Sequence, residues 1–380
     1  MNTSKLLLVI SILILPQLIV NAQSPDSSEY RFTVITELPH TSVKNQYHSQ
    51  TCWSFSGLSF FESEMLRKGK PETDLSEMFV INHCYLDKAQ KFVRMKGNTN
   101  FGPGGIFYDL LYVTKNYGLV PEEVYHGIKY NKELHDHTAM DSVLRKEVEN
   151  VITNKSVIPV AWSDTLRKTL NYYLGEMPEE FTYQGKTYTP KTFVSDYCGI
   201  NPDDYVQITS FIHHPYYKPF ILEVPDNWLW SNFYNVPLDE IEQIIDYSLK
   251  NGYTVAWAAD VSEKGFNTTS KGIAVIPEMS SDSVSSDKKI LAVREKEITQ
   301  EMRQAAFDDQ ETTDDHGMHI IGLAKDQFGK EYYIIKNSWG EYNNYKGYFY
   351  ASKPYVSYKT TSIMVNKKAI PGDILKKLGL

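Results

Sequence analysis

Cysteine is scarce in this chain, with three in 380 residues: Cys52, Cys84 and Cys198. An odd number excludes a disulfide-stapled fold, because at most one bridge can form within the chain and one thiol stays free or pairs between chains. Excess positive charge is also missing. Lys and Arg number 39 against 47 Asp and Glu, a formal net charge of −8. That argues against nucleic acid as a general partner, since phosphate binding needs a basic face. No apolar run reaches the roughly 18 residues of a membrane-spanning helix; Leu6 to Val20 holds 15 and includes Pro16 and Gln17. No H-E-x-x-H or paired-cysteine motif marks a metal site, and "GPGG" at 102–105 lacks the lysine and the preceding strand of a phosphate loop. No metal or other cofactor is therefore expected, and "HDH" at 135–137 and "HH" at 213–214 read as solvated surface.

What is present begins with a targeting signal. Lys5 precedes the apolar run and "VNA" at 20–22 has the small-x-small pattern of a cleavage site. Residues 1–22 are expected to be a signal peptide removed after Ala22, with an uncleaved anchor as the alternative. The product is then exported, periplasmic or extracellular, with no stable membrane insertion. In an oxidising compartment a free thiol hints at use, whereas Cys84 and Cys198 read as small buried hydrophobes.

Hydrophobic periodicity predicts an α+β chain. "YRFTVITEL" reads as a strand. A helix starts at Cys52, repeats Leu58, Phe61 and Met65, and closes at "RKG", 67–69. Gly102, Gly104 and Gly105 form a loop before an amphipathic helix ending near Gly118. A long middle region follows, closed by the helix "LDEIEQIIDYSLKNG" and the strand "YTVAWAADV". Residues 276–312 read as loop and helix. The last third is strand-rich, with "MHIIGLAKD", "EYYIIKN", "KGYFYAS" and "TSIMVNK" before a short terminal helix.

The chemistry concentrates in two places. Cys52 stands at a helix start, where unpaired N–H groups and the positive dipole end favour a thiolate over a thiol of ordinary pKa about 8.5. His316 opens an apolar strand, "DQFG" is a turn, and Asn337 ends the returning strand. A hairpin centred between positions 326 and 327 makes His316 and Asn337 cross-strand neighbours. The asparagine can then fix the imidazole tautomer, and Trp339 can shield that bond from water. His319 falls on the opposite face, as packing or surface. Gln46, six residues before Cys52, can join the Cys52 N–H in holding an oxyanion. "TDD" before His316 sets the loop and its local charge.

Q-x5-C-W, G-x-G-G, D-H-G-M and K-N-S-W-G together resemble the papain-like cysteine peptidases. "NPDDYVQITSF", "HHPYYKPF" and "NVPLDEIEQIIDYSLKNGYTVAW" are similar to the bleomycin hydrolase and aminopeptidase C branch. The resemblance implies a papain-like two-lobed fold with a large insertion: residues 23–125 as N-terminal segment and helical lobe, 126–250 as insertion, 251–380 as β-rich lobe. It implies Cys52 as nucleophile, His316 as general acid/base, Asn337 as orienter and Gln46 as oxyanion donor, with Trp53 and Trp339 in support. Gly104 and Gly105 would pair with an extended peptide substrate. The branch also implies homo-oligomers, often hexameric rings. In it a C-terminal arm reaches the cleft and its carboxylate holds the substrate amine; this chain stops at "DILKKLGL", short of that arm. An aminopeptidase is the leading expectation. An endopeptidase with an open cleft, an acyl transferase on the same residues and a non-catalytic peptide binder are the alternatives. "SQT" ahead of Cys52 replaces the usual small residues. With only 29 residues between Ala22 and Cys52, activity is expected without removal of a pro-segment.

Overall fold

The computed structural model describes residues 30–129, 134–153, 161–278 and 294–380; the expected signal peptide lies outside them. The described chain opens with strand β1 (Thr33–Glu37), then turns into helix α1 (Cys52–Arg67). Every α1 residue from Trp53 to Met65 is buried. Its polar members are therefore met by partners inside the protein, and Gly69, at φ +73°, ends it in the left-handed turn expected of "RKG". Helix α2 (Glu77–Arg94) is capped by Ser76, whose hydroxyl accepts the Phe79 N–H at 3.2 Å. Helix α3 (Phe107–Asn116) crosses α1 closely, because a Cβ on Gly57 would lie 2.9 Å from Leu110 Cδ2.

Helices α4 (Thr138–Thr153) and α5 (Trp162–Leu174) bury Met140, Leu144 and Val148, and Leu166, Leu170 and Leu174. This spacing of about four residues lays one apolar stripe of each against the same core as α2. The Thr/Tyr-rich stretch becomes a hairpin, β2 (Phe181–Tyr183) and β3 (Lys186–Tyr188). Gln184 and Gly185 both take positive φ at its two-residue turn, as a hairpin's right-handed twist requires. The one-turn α6 (Pro190–Thr192) follows.

From residue 205 the chain changes allegiance. Strands β4 (Tyr205–Thr209), β5 (Pro219–Ile221) and β6 (Asn232–Asn235) join the main sheet, covered by α7 (Leu238–Lys250). The sheet continues with β7 (Val255–Ala259), β8 (Phe266–Asn267) and β9 (Ile273–Ala274). Helix α8 (Gln300–Asp308) leads to β10 (His316–Lys325), β11 (Glu331–Lys336), β12 (Tyr348–Ser352), α9 (Lys353–Lys359), β13 (Thr360–Asn366) and α10 (Gly372–Leu378). Strand order is β5-β6-β4-β13-β7-β10-β11-β12-β9-β8, with β1 against β10. The stretch 126–250 thus divides between a helical core and the sheet core. Strand β7 shows how the two meet: Ala256 and Ala258 face the helical core while Val255 and Trp257 face the other. Small residues on the α1 side leave room for that helix.

The hairpin register differs from the expected one by two residues. Lys336 pairs with His319, not Gly317, so Asn337 lies beyond the strand end instead of opposite His316. The turn is the cause. Asp326 accepts the N–H groups of Phe328 and Lys330, both at 2.9 Å, which stretches the connection to 326–330 and displaces the pairs beside it by one residue more, and a bulge near Ile320–Gly322 brings the shift back to two. A slip of two leaves every side chain on its expected face.

One of the two surface readings is also corrected. His137 is buried, and His135 stands edge-on to Phe55 at 5.8 Å, with burial pushing its imidazole down to about 4. Helix α4 packs inward and carries the preceding "HDH" with it. At "HH" the surface reading holds: His213 is exposed and His214 half-buried, and each Nε2 lies within hydrogen-bond distance of the exposed Glu223, at 3.2 and 2.8 Å. Their ligand-type atoms fall within 4.8 Å of one another, yet the three groups already satisfy each other as hydrogen-bond partners. All three cysteines are free, and Cys84 and Cys198 are buried in the helical core.

Candidate active site

Cys52 is the first residue of α1, at the floor of a cavity of about 370 Å³ between the helical and sheet sides. The start of β10 comes down on it. Gly317 makes this possible, because a Cβ there would lie 2.8 Å from Ser56 Oγ and 3.1 Å from Trp53 Cα. In return its N–H points at sulfur, 3.2 Å from Cys52 Sγ. Burial pushes the Cys52 thiol up to about 12; the Gly317 and Trp53 N–H groups oppose that rise, and the charges of Asp314 and Asp226 add to it.

His316 lies beside Gly317 and is buried. Its Nε2 is 2.7 Å from Asn337 Oδ1, which commits that nitrogen and leaves Nδ1 for a proton from sulfur. Burial lowers the imidazole to about 4, while the Asn337 bond acts to raise it. The His316 ring is therefore a neutral base at pH 7. Trp339 covers it at 4.7 Å between centroids and 30° between planes. Asn337 Oδ1 also takes the Ser338 N–H at 2.8 Å, and Asn337 Nδ2 donates to Tyr342 Oη at 3.2 Å, so its amide cannot turn freely. His319, one face over, is packing: its Nδ1 meets Ser59 Oγ of α1 at 2.9 Å.

Gln46 is buried and lines the cavity. Ser338 Oγ donates to its Oε1 at 2.6 Å and its N–H donates to Ser338 O at 2.7 Å. The amide NH₂ is the end left over, on the same cavity as Cys52. The opposite wall is the glycine loop. Trp53 Nε1 donates to Pro103 O at 2.9 Å, and buried Lys88 donates to the carbonyls of Gly102 and Gly104. Gly105 has no space for a side chain, since a Cβ would lie 2.5 Å from Asp109 Oδ2 and 2.8 Å from the Trp53 ring. A Cβ on Gly104 would overlap the carboxylate of Asp226.

Gln46, Cys52 and His316 therefore meet at one cavity, with both glycines and both tryptophans around them, and Asn337 stands behind His316. Gly317, Ser338 and Asp226 had not been singled out. A glycine inside a strand pattern, as in "DHGMH", signals close backbone approach, so Gly317 was findable. Asp226 was not, because nothing local in "VPDNW" points across the fold. The odd "SQT" also gains a reading. Gln50 sits at φ +56°, a left-handed conformation more natural to glycine, while Ser49 and Thr51 are buried and bond each other through their hydroxyls at 2.6 Å.

A thiol held at a helix start against a buried, amide-oriented imidazole, on an α+β scaffold with an extended groove, defines the thiol-hydrolase class of papain-like folds. A solved structure of PepW from Lactobacillus rhamnosis superposes on it with a TM-score of 0.71 at 22% identity, covering 91% of this chain and 84% of that one. The family model of the Peptidase C1-like family matches residues 80–379. The chain belongs to that family, and with it to the cysteine-type peptidases. Aminopeptidase C of Streptococcus thermophilus is 23% identical over 403 residues, spanning 93% of this chain and 86% of that protein. Aminopeptidase C of Lactococcus lactis subsp. cremoris is 25% identical over 378 residues, and bleomycin hydrolase of Mus musculus 24% over 387. The family-model match begins beyond Cys52, so the placing of the thiol rests on the geometry above.

Proposed function

We propose that this chain is an exported thiol aminopeptidase that cleaves peptide bonds through an acyl-enzyme. The observation that carries the reading is the convergence at one cavity of Cys52 Sγ under the Gly317 N–H and of His316 bound through Nε2 to Asn337. Cys52 attacks the substrate carbonyl carbon as its S–H proton passes to His316 Nδ1. The oxyanion so formed lies against the Gln46 NH₂ and the Cys52 backbone N–H. His316 returns the proton to the leaving nitrogen, the C–N bond breaks, and a thioester remains. Water then adds to the thioester with His316 as base, and the thiol is regenerated. Asn337 keeps the ring in the tautomer this shuttle needs.

The names of the relatives, aminopeptidase C among them, favour removal of residues from a free N-terminus. Replacement Cys52→Ala is expected to abolish hydrolysis of aminoacyl amides; turnover at the parent rate in that variant would end the mechanism. Export is checked by sequencing the N-terminus of the secreted protein, which should begin at Gln23, and a mature chain starting at Met1 would sink it.

A further inference from the structure

The cavity beside Cys52 is lined by three carboxylates, Asp226, Asp314 and Asp315, and by no lysine or arginine. Asp315 is satisfied, with Thr313 Oγ1 at 2.6 Å on Oδ1 and the Val261 N–H at 3.4 Å on Oδ2. The other two are left short. Asp226 receives Asn100 Nδ2 on Oδ1 at 2.6 Å, and its Oδ2 lies over Gly104 with no donor among the described residues. Asp314 holds Thr361 Oγ1 at 3.3 Å on Oδ1, while its Oδ2 is closed off from water and has no hydrogen-bond partner among the described residues. Lys88, whose charge reaches Asp226, is already spent beneath the glycine loop, donating to the carbonyls of Gly102 and Gly104.

Neither carboxylate can easily swing away. Asp260 fixes the loop of Asp314 by accepting the Thr313 N–H at 2.8 Å, and buried Lys359 donates to Glu311 O at 3.0 Å and Thr312 Oγ1 at 3.1 Å. Asn227 Nδ2 closes the loop of Asp226 through Leu222 O and Ser231 O, both at 3.0 Å, and Trp228 Nε1 pins it to Asp109 at 2.8 Å. One carboxylate oxygen without a donor at the cleft wall, Asp226 Oδ2, backed by the sealed charge of Asp314 on the same cavity, calls for a cation. Their position limits its source. Asp226 covers Gly104, on the wall along which an extended substrate would lie, so a peptide has little room to continue past the residue whose carbonyl meets Cys52.

We propose that Asp226 and Asp314 form an anionic subsite for the substrate's α-ammonium group, so that the cleft removes one residue at a time from free N-termini. The proposal rests on the aminopeptidase reading and names the residues that would enforce it. An ammonium can donate to Asp226 Oδ2, and its charge offsets the repulsion between the two acids. The same docking favours attack, because the charges of Asp314 and Asp226 are among the causes that hold the Cys52 thiol up.

The experiment compares one aminoacyl coumarin amide with free and acetylated N-terminus, together with acetylated dipeptidyl amides bearing arginine or leucine before the cleaved residue. Wild type is expected to favour the free amine. Asp226→Asn, Asp314→Asn and the double variant should each lose about 10- to 100-fold in kcat/KM on it, so that the ratio of free-amine to acetylated-amide rates falls at least as far. Alkylation by iodoacetamide at Cys52 with the buried Cys84 and Cys198 spared shows that the variants are folded. Equal wild-type rates on free and acetylated amides would defeat the aminopeptidase reading itself. A selective wild type whose selectivity survives in the double variant would overturn only the subsite. Wild-type preference for the acetylated arginyl substrate, lost in the double variant, would also overturn it, by assigning the two acids to a side-chain cation.

Discussion

Two sets of acids sit out of bulk water in this molecule, and they are treated differently. Along α1, Glu62 accepts Thr41 Oγ1 at 2.5 Å and the Leu75 N–H at 3.0 Å, and faces Lys44 at 3.4 Å. Glu64 takes Arg67 Nε and Nη2 at 2.8 and 2.9 Å, with Asn366 Nδ2 at 2.8 Å from sheet strand β13. These carboxylates join the helical and sheet sides, and the chain supplies their counter-charges. In the cleft, Asp226 and Asp314 have one hydrogen bond each. Desolvation raises both, Asp314 to about 7. A buried carboxylate completed by its own fold is a fastening; one left incomplete beside a nucleophile waits for a ligand.

The fastening should fail first when its cation goes. Lys44→Met leaves Glu62 and Glu77, the latter 2.6 Å from Lys44 Nζ, without that charge in a buried setting. A loss of about 3 kcal/mol, which is about 4 °C in Tm for a chain of this length, is expected. Thermal unfolding at pH 7 measures it, and an unchanged midpoint would mean that the two acids do not depend on Lys44.

The cleft acids should show themselves in the pH profile. The acid limb of kcat/KM reports groups of the free enzyme. For a free-amine substrate it should lie near pH 7, where Asp314 ionises, and for the acetylated amide near pH 4, where His316 takes a proton. Coincident limbs would separate Asp314 from amine recognition.

Stability gives the opposite sign to the Lys44 test. Asp314 ionises at a higher pH folded than unfolded, so the stability it contributes is full below about pH 4 and is lost as pH rises through about 7. Asp314→Asn should therefore unfold roughly 2–4 °C above wild type at pH 8, with the gap closing toward pH 4. A variant less stable than wild type at pH 8 would show that the carboxylate has a partner. The smallest effect belongs to Gln50. Gln50→Gly removes the left-handed strain but adds freedom to the unfolded chain, a net gain of about 0.5 kcal/mol, read from the denaturant midpoint.

Much of this was legible in sequence. The helix beginning at Cys52, its end at Gly69, the four C-terminal strands and the α+β class follow from local periodicity and glycine placement. The His316–Asn337 meeting was legible in outcome but not in detail. The turn was placed one to two residues early because the grip of Asp326 on two backbone N–H groups cannot be read from "DQFG". The reading survived because a shift of two keeps the face. His135 and His137 were misread for the converse reason: their own segment is polar, and it is α4's packing that takes them out of water.

The sequence by itself determined the helix that Cys52 opens and the strand and turn that carry His316 and Asn337, because each rests on short-range rules of helix start, strand alternation and turn. Only the tertiary structure decided what closes the groove. Asp226 and Asp314 are 88 positions apart, on loops with no shared pattern, and both reach the cavity only after β4–β6 extend the sheet and β10 descends on α1. Partnership between charges is set by which groups share one desolvated space. That is a property of the folded chain and not of any stretch of it.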